Sequence, residues 1–469
     1  MIRPSPRLRA LAFAAALLFP ALARAHGFGT RYELPLPLAV YLTSAALTIL
    51  LSFLAMAWFS RRAATVGEGL RLNVLATLPG RVLASAPALF VLRLAAVAMF
   101  VLVVCAGLLG SQSPLKNIAP AFVWALWWVG VTYISALAGD LWALLNPLDT
   151  VFRWAEAAYA RLRPLRRLSL DLPYPHSAGM WPAAALFLVF VWMELVWEGA
   201  DRPASLSLAM MAYAALTWTG MLLFGRREWL RRGEVFAIVF GLIARFSPTQ
   251  AREIDGRWEW NLRPYAVGLL AREPAGASEV ALVVFMLAAV TFDGLRETPL
   301  WALVGLGDTT GVLGTALLML AAYLLVCRAM VLLGENLQTW RRTAGLFIFT
   351  LIPIAIAYHL AHYLSFLVTI LQYLIPLASD PLGRGWDLFG GATHFVRPGI
   401  VDAKTVWHVA VPAIVIAHVL AVCLAHLLAL REFPGRRAAL RSQYPMVALM
   451  IAYTMSSLWI IAQPIVTER

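Results

Sequence analysis

The most constraining feature of this sequence is a series of about ten apolar segments, each about 20 residues long or longer. Their apolar residues run on without alternation, and they have the length of a helix that crosses the hydrocarbon core of a bilayer. Hydrophobic residues make up 61% of the 469 residues, more than a soluble fold of this length can bury. Since lipid cannot hydrogen-bond to the backbone, the chain must cross as helices or as a closed barrel, and the unbroken segments favour helices. The sequence therefore predicts an all-α, polytopic transmembrane helical bundle.

We place the ten spans near residues 36–59, 88–110, 121–146, 180–198, 205–224, 279–295, 308–333, 345–375, 406–430 and 444–464. Arginines are concentrated in the connections that follow the odd-numbered spans, and the other connections contain few of them. By the positive-inside rule, the arginine-rich connections lie in the cytoplasm and the mature N-terminus lies outside it. The net charge of +13 is then explained by orientation and by contact with anionic headgroups, so we expect a lipid bilayer as partner and no nucleic acid. The predicted location is the bacterial inner (cytoplasmic) membrane.

The first 25 residues have the pattern of a secretory signal peptide. Three arginines precede an apolar stretch at 11–22, which is followed by two sites of the A-x-A type. Cleavage after Ala25 would leave residues 26–469 as a single integral membrane domain that begins with His26. Cleavage after Ala23 and retention of the segment as a signal anchor are the alternatives. A terminal histidine can chelate a metal through its imidazole and its α-amino group together.

Six of the eight histidines fall between residues 359 and 426. His359 and His362 are three residues apart and therefore share one face of the eighth span. His418 lies eleven residues beyond Trp407, at the outer end of the ninth span, and at 1.5 Å per residue this places it about 16 Å deep. Because these spans are consecutive and antiparallel, the three imidazoles can reach one depth. We predict that they bind a divalent transition metal, zinc or copper, with His26 as a further ligand.

A simpler interpretation exists for every membrane histidine, namely a hydrogen bond between helices. His426 lies nearer the cytoplasmic end, where a packing role is expected, and His394 and His408 lie at the outer surface. A b-type haem is a further alternative, although paired haem ligands on one helix lie further apart than His359 and His362.

The carboxyl groups of Asp140, Glu194 and Asp293 lie inside the predicted spans at membrane depth. An ionisable residue at membrane depth is a functional candidate, because placing it in lipid is costly. Asp293 and Glu194 lie toward the outer side, and we predict that one of them is the catalytic base for a bound water. Asp140 lies toward the inner side. A buried carboxylate paired with arginine is the simpler alternative.

Two connections have a composition that predicts local structure. The segment 234–245 is apolar with charged ends and predicts an amphipathic helix at the membrane interface. The outer connection 377–405 is rich in glycine, aromatic residues and aspartate. It can cap the outer mouth of a site, with Asp380, Asp387 and Asp402 nearby, or it can be a structural loop.

Six segments of distinctive sequence extend over nearly the whole chain: AHGFGTRYELPLPLAVYL (25–42), GDLWALLNPLD (139–149), TFDGL (291–295), AYHLAHY (357–363), SDPLGRGWDLFG (379–390) and HVLAVCLAH (418–426). The chain resembles, through these segments, the bacterial membrane proteins known as fenitrothion hydrolases. The resemblance implies hydrolysis of a phosphotriester with release of a nitrophenol, and it supplies no catalytic residues.

The resemblance and the histidines together predict a membrane-embedded, metal-dependent hydrolase of organophosphates (phosphotriesters) or related lipophilic esters. In such an enzyme the metal activates a water molecule, and a small lipophilic substrate enters from the bilayer. The alternative is a transporter or metal-handling protein in which the same histidines pass protons or a cation. That alternative requires a polar path to the cytoplasm, which would include Asp140 and His426.

Overall fold

The computed structural model describes residues 31–59, 71–254, 257–270, 273–335, 339–397 and 399–467. Ten helices within these residues are long and apolar enough to cross a membrane, which confirms the predicted all-α, polytopic bundle. Spans 1 to 10, in chain order, are Leu38–Phe59, Ala86–Leu109, Ile118–Leu137, His176–Leu195, Pro203–Phe224, Ala277–Leu295, Asp308–Leu333, Trp340–Ser379, Ala403–Glu432 and Gly435–Ile465. The protein is therefore a multi-pass membrane protein in a lipid bilayer. The predicted signal peptide and His26 lie outside the described residues.

Consecutive spans alternate in direction, so the arginine-rich connections after the odd-numbered spans share one end of the bundle, here called the basic end. Shorter helices lie in the connections: Leu78–Leu83, Leu141–Leu145, Pro147–Leu162, Arg226–Arg232, Val235–Ala244 and Pro299–Val304.

Spans 6 and 8 form the centre of the bundle. In each of them 89% of the most apolar stretch is buried inside the protein, against 6% to 56% in the other spans. Span 8 consists of helix Trp340–Phe347, a tighter 3₁₀ segment Ile348–Leu351 and helix Ile352–Ser379. It packs against spans 3, 6 and 9. Side chains that face inward from spans 6 and 8 are therefore shielded from lipid by the outer helices.

Span 3 ends at Leu137, before the predicted residue 146. Gly139 follows with a φ of 144°, a conformation that favours glycine. The side chains of Asp140 and Asn146 then accept backbone N–H groups and begin the next two helices. Within span 3, Ala121–Gly130 is π-helical, a wide winding that is often found near functional sites.

The helix Val235–Ala244 exists as predicted, but it is buried inside the protein and does not present a free apolar face to lipid. Eight of its ten residues are buried, because it packs against span 3, span 4 and the helix Leu141–Leu145. Phe236 contacts the ring of Trp127 at 4.5 Å between ring centroids. The apolar face that the sequence predicts to contact lipid instead contacts aromatic side chains of other helices.

Two small sheets were not predicted. Strands β1 (Tyr32–Glu33) and β5 (Val466–Thr467) pair in parallel, beside the contacts that span 1 makes with spans 9 and 10. At the basic end, β2 (Leu72–Asn73), β3 (Thr249–Ile254) and β4 (Arg257–Leu262) form an antiparallel sheet in the order β2-β4-β3. In the hairpin of β3 and β4, Ala251 is opposite Trp260.

Candidate functional site

Asp293 and His362 form a direct contact between the two central spans. Asp293 lies two residues before the end of span 6, and His362 lies in the long helix of span 8. The His362 Nε2 atom is 2.8 Å from Asp293 Oδ2, and each side chain is only 9% exposed. The structure thus brings together one predicted base and one predicted metal ligand as a buried carboxylate–imidazole pair.

Tyr363 connects this pair to Glu194 on span 4. Its hydroxyl is 2.7 Å from Asp293 Oδ2 and 3.1 Å from Glu194 Oε1. A phenol carries one proton and donates one hydrogen bond, so it cannot donate to both carboxylates at once. Both contacts become hydrogen bonds when one of the two carboxyl groups is protonated and donates to the phenol oxygen. The arrangement therefore suits a proton shared between Glu194 and Asp293.

Arg296 lies beside the same carboxyl groups at the end of span 6. Its Nε atom is 3.8 Å from Asp293 Oδ1 and 3.5 Å from Glu297 Oε1, and its guanidinium also donates to the backbone oxygen of Leu195. The arginine pairing that the sequence left as an alternative is thus present for Asp293, though its geometry is loose. Together with Glu194, the groups named here comprise three carboxyl groups around one guanidinium, which favours the binding of further positive charge.

His359 lies one turn before Tyr363 and is 4% exposed. Its ring meets three aromatic rings, with centroid distances of 5.7 Å to Trp128, 5.6 Å to Tyr133 and 4.7 Å to Tyr363. Neither ring nitrogen has a hydrogen-bond partner among the described residues. Buried polar atoms without a partner are rare in proteins, so this imidazole requires an explanation.

His418 takes part in a different set of contacts. Its Nδ1 donates to the backbone oxygen of Ile414 at 2.9 Å, and its ring lies 5.9 Å from that of Tyr453. Tyr453 in turn shares a hydrogen bond of 2.6 Å with Thr291 on span 6. His418 is therefore buried near the central spans, and its described contacts do not include His359 or His362.

The described part of the chain contains no group of three histidine, cysteine, aspartate or glutamate side chains arranged to hold a metal ion. The zinc or copper site at His359, His362 and His418 therefore gains no support from this geometry and stays a prediction. His26, the fourth predicted ligand, lies outside the described residues.

Asp140 and His426, which the sequence placed on a path to the cytoplasm, make local contacts. The Asp140 carboxylate accepts the backbone N–H of Ala143 at 2.9 Å. Burial raises the pKa of Asp140, and that hydrogen bond opposes the rise. The His426 Nδ1 atom is 3.0 Å from Gln443 Oε1, and this imidazole is fully buried.

A further buried carboxyl group, that of Glu234, was not singled out from the sequence. It begins the helix Val235–Ala244 by accepting the backbone N–H of Ala237 at 2.6 Å, and it accepts the hydroxyl of Tyr213 on span 5 at 2.5 Å. Burial raises the pKa of Glu234, while these hydrogen bonds act in the opposite direction. The group links span 5 to the buried helix.

The predicted outer connection is a structural loop in its described part. Asp380 accepts the backbone N–H groups of Arg384 and Gly385, and Asp387 accepts that of Ala392. Asp402 caps span 9, and its pKa is lowered by hydrogen bonds from Thr405. These carboxylates are used to fold the loop itself. Nearby, His408 Nδ1 contacts the backbone oxygen of Lys404 at 2.7 Å.

Tyr363 and Arg296 are the site residues that sequence reasoning missed. The available signal was position, since Tyr363 directly follows His362 and Arg296 follows Asp293 by three residues. Comparison of the chain with protein-family models, with curated proteins and with solved structures gave no match. The family resemblance noted in the sequence therefore stays a prediction, and the function has to be inferred from these residues and their geometry.

Proposed function

We propose that this protein is a transporter whose cluster of Glu194, Asp293, His362 and Tyr363 passes protons across the membrane. The cluster either conducts protons alone or exchanges them for a cation. One observation carries the proposal: a single phenol hydroxyl bridges two carboxyl groups inside the bundle, and one of these carboxyl groups also contacts an imidazole. Ionisable groups buried among membrane helices commonly serve as proton relays or ion sites.

The contacts define two protonation states. When Glu194 is protonated, it donates to the Tyr363 oxygen, Tyr363 donates to Asp293, and Asp293 also faces His362. When that proton leaves, one phenol proton is shared by two carboxylates, whose like charges repel each other. His362 can then carry the proton on its side of Asp293. Movement between these states requires only short proton transfers along contacts of 2.7 to 3.1 Å.

The position of the cluster suggests where protons enter. Glu194 and Asp293 lie near the final residues of spans 4 and 6, at the end opposite the basic end. By the positive-inside rule that end faces away from the cytoplasm of a bacterial inner membrane. Protons would enter the cluster from the outside.

A hydrolase, which the sequence predicts in a metal-dependent form that acts on phosphotriesters or related lipophilic esters, is a second candidate, and the Asp293–His362 contact favours it. A carboxylate that orients an imidazole is a common arrangement for a general base acting on water. A cavity of about 80 Å³ lies between spans 6, 7, 8 and 10, but its lining of apolar side chains, Tyr323 and Tyr453 includes neither member of the pair. Transport accounts for more of the contacts, because it uses Glu194 and Tyr363 as well.

The test is proton flux into liposomes that contain the purified protein and an internal pH-sensitive dye, driven by a potassium diffusion potential. We expect flux with the natural protein and its loss in Asp293→Asn and Glu194→Gln. Asp387→Asn is the matched control, because it makes the same change in the loop at the same end of the bundle, and it should keep the flux. Flux no higher than that of empty liposomes, with or without a cation gradient, would refute the proposal. Release of nitrophenol from an aryl phosphotriester, abolished by Asp293→Asn, would instead support the hydrolase.

A further inference from the structure

The unpartnered imidazole of His359 lies on the side of the cluster that faces the basic end. Span 8 begins at the basic end, and His359 precedes Tyr363 by four residues, or one helical turn. Its ring packs at 4.7 Å from the Tyr363 ring, between centroids. On its other sides are the rings of Trp128 and Tyr133 from span 3, which separate it from lipid and bulk water.

Span 3 contacts span 8 at the level of His359 and contains a further buried polar atom without a described partner. The hydroxyl of Tyr133 reaches the backbone oxygen of His359 at 3.4 Å, which ties span 3 to span 8 at this level. Two residues further along span 3, the Ser135 hydroxyl is fully buried and has no partner among the described residues. Asp140 follows just beyond the end of span 3. Along span 3, Ser135 thus lies at a level between Tyr133, which contacts His359, and Asp140 at the basic end.

We propose that His359 binds water on both ring nitrogens and relays protons between the Glu194–Tyr363 pair and the level of Ser135, toward the basic end. This inference rests on the proposed transport function and names the residue by which protons leave the cluster. Neutral imidazole has one acceptor and one donor nitrogen. A proton that binds the acceptor nitrogen is balanced by the proton that leaves the donor nitrogen to a second water, and a half-turn of the ring about its Cβ–Cγ bond then returns the protonated nitrogen to the starting side. Because aromatic rings surround His359, the imidazole is the group that transfers the proton at this level.

The experiment compares four variants in the liposome flux assay. His359→Phe keeps an aromatic ring in the aromatic surroundings and removes both nitrogens, and we expect flux to fall by about tenfold or more. His359→Ala should also lose flux, and added millimolar imidazole should restore part of it, because free imidazole can occupy the vacated space. Glu194→Gln reports on the proposed function itself. His408→Phe removes an imidazole whose described hydrogen bond lies within its own helix, at the end opposite the basic end, and it should keep the flux.

The outcomes separate the two proposals. Loss of flux in His359→Phe, with restoration by imidazole in His359→Ala, supports the relay. If His359→Phe has the same flux as the natural protein while Glu194→Gln loses its flux, the relay is overturned and the proposed function is still supported. Loss in both His359 variants with no restoration by imidazole indicates a packing role and overturns the relay. Unchanged flux in both His359→Phe and Glu194→Gln refutes the transport function as well.

Discussion

Replacing Tyr363 with phenylalanine removes one oxygen atom and leaves the aromatic ring that packs on His359 and His362. The lost hydroxyl lies 2.7 Å from Asp293 Oδ2 and 3.1 Å from Glu194 Oε1. When one carboxyl group is protonated, the phenol accepts a hydrogen bond from it and donates one to the charged carboxylate, and the variant loses both. The bond to the charged carboxylate alone contributes about 1.5–3 kcal/mol to stability, and its acceptor is left buried.

Tyr323 offers a matched control on span 7. Its hydroxyl is also buried, and it donates to a neutral acceptor, the backbone oxygen of Ala344, at 2.7 Å. Loss of a neutral hydrogen bond costs about 1 kcal/mol, so Tyr323→Phe should be the milder change by about 0.5–2 kcal/mol. Because about 1.4 kcal/mol corresponds to a tenfold change in rate, Tyr363→Phe should also reduce proton flux by about 10- to 100-fold. Tyr323→Phe should leave the flux unchanged.

The measurements are unfolding in mixed detergent micelles, followed by the liposome flux assay on both variants. Equal destabilisation of the two variants, with natural flux in Tyr363→Phe, would show that the Tyr363 hydroxyl does not hold the two carboxyl groups together. Glu194 and Asp293 would then not share a proton through Tyr363.

Three further changes test the packing and the charges. Gly294→Ala would place a Cβ atom 2.6 Å from Ile460 and should destabilise the bundle by about 1–3 kcal/mol in thermal unfolding, whereas Gly314→Ala meets open space and should not. Asn146→Ala removes a helix cap, and the same assay should show a loss of about 1 kcal/mol. Burial raises the pKa of Glu234 above 4.5, so the folded state binds a proton on this group more tightly than the unfolded state does. The stability that this proton contributes is fully present below pH 4.5 and is lost as pH rises through the folded-state pKa. As pH rises above 4.5, the melting temperature of the natural protein should therefore fall relative to that of Glu234→Gln. A difference between the two melting temperatures that does not change with pH would contradict the raised pKa of Glu234.

Hydropathy predicted the fold well. Because exposing polar backbone groups to lipid costs a large free energy, an apolar segment of spanning length must form a helix, and such segments are recognised from composition alone. It failed for the segment 234–245, since an apolar helix face can pack on lipid or on aromatic side chains with a similar gain in free energy. Phe236 and Phe240 pack on Trp127 from span 3 instead of facing the bilayer. The end of span 3 was also misplaced, because Asp140 and Asn146 cap new helices inside a region of continuing apolar composition.

Glu194, Asp293 and His362 could be singled out from the sequence as candidate site residues, but Tyr363 and the contacts among these side chains could not. Position along a span fixes the depth of a side chain, and by depth His418 was grouped with His359 and His362. Contact also requires that each helix be rotated suitably about its axis and lie beside the correct neighbour, and the apolar pattern contains little information on either. His362 therefore contacts Asp293 on span 6, while His418 contacts Tyr453 on span 10.

The parallel pairing of β1 with β5 bears on how the protein is made. Tyr32 and Glu33 pair with Val466 and Thr467, and span 1 packs on spans 9 and 10. A ribosome delivers span 1 to the membrane long before its packing partners are synthesised. Span 1 must therefore stay in lipid, or with an insertion factor, until spans 9 and 10 arrive. Packing of span 1 is thus completed only after span 10 has been synthesised, and a chain that stalls before span 9 would leave span 1 without its packing surface.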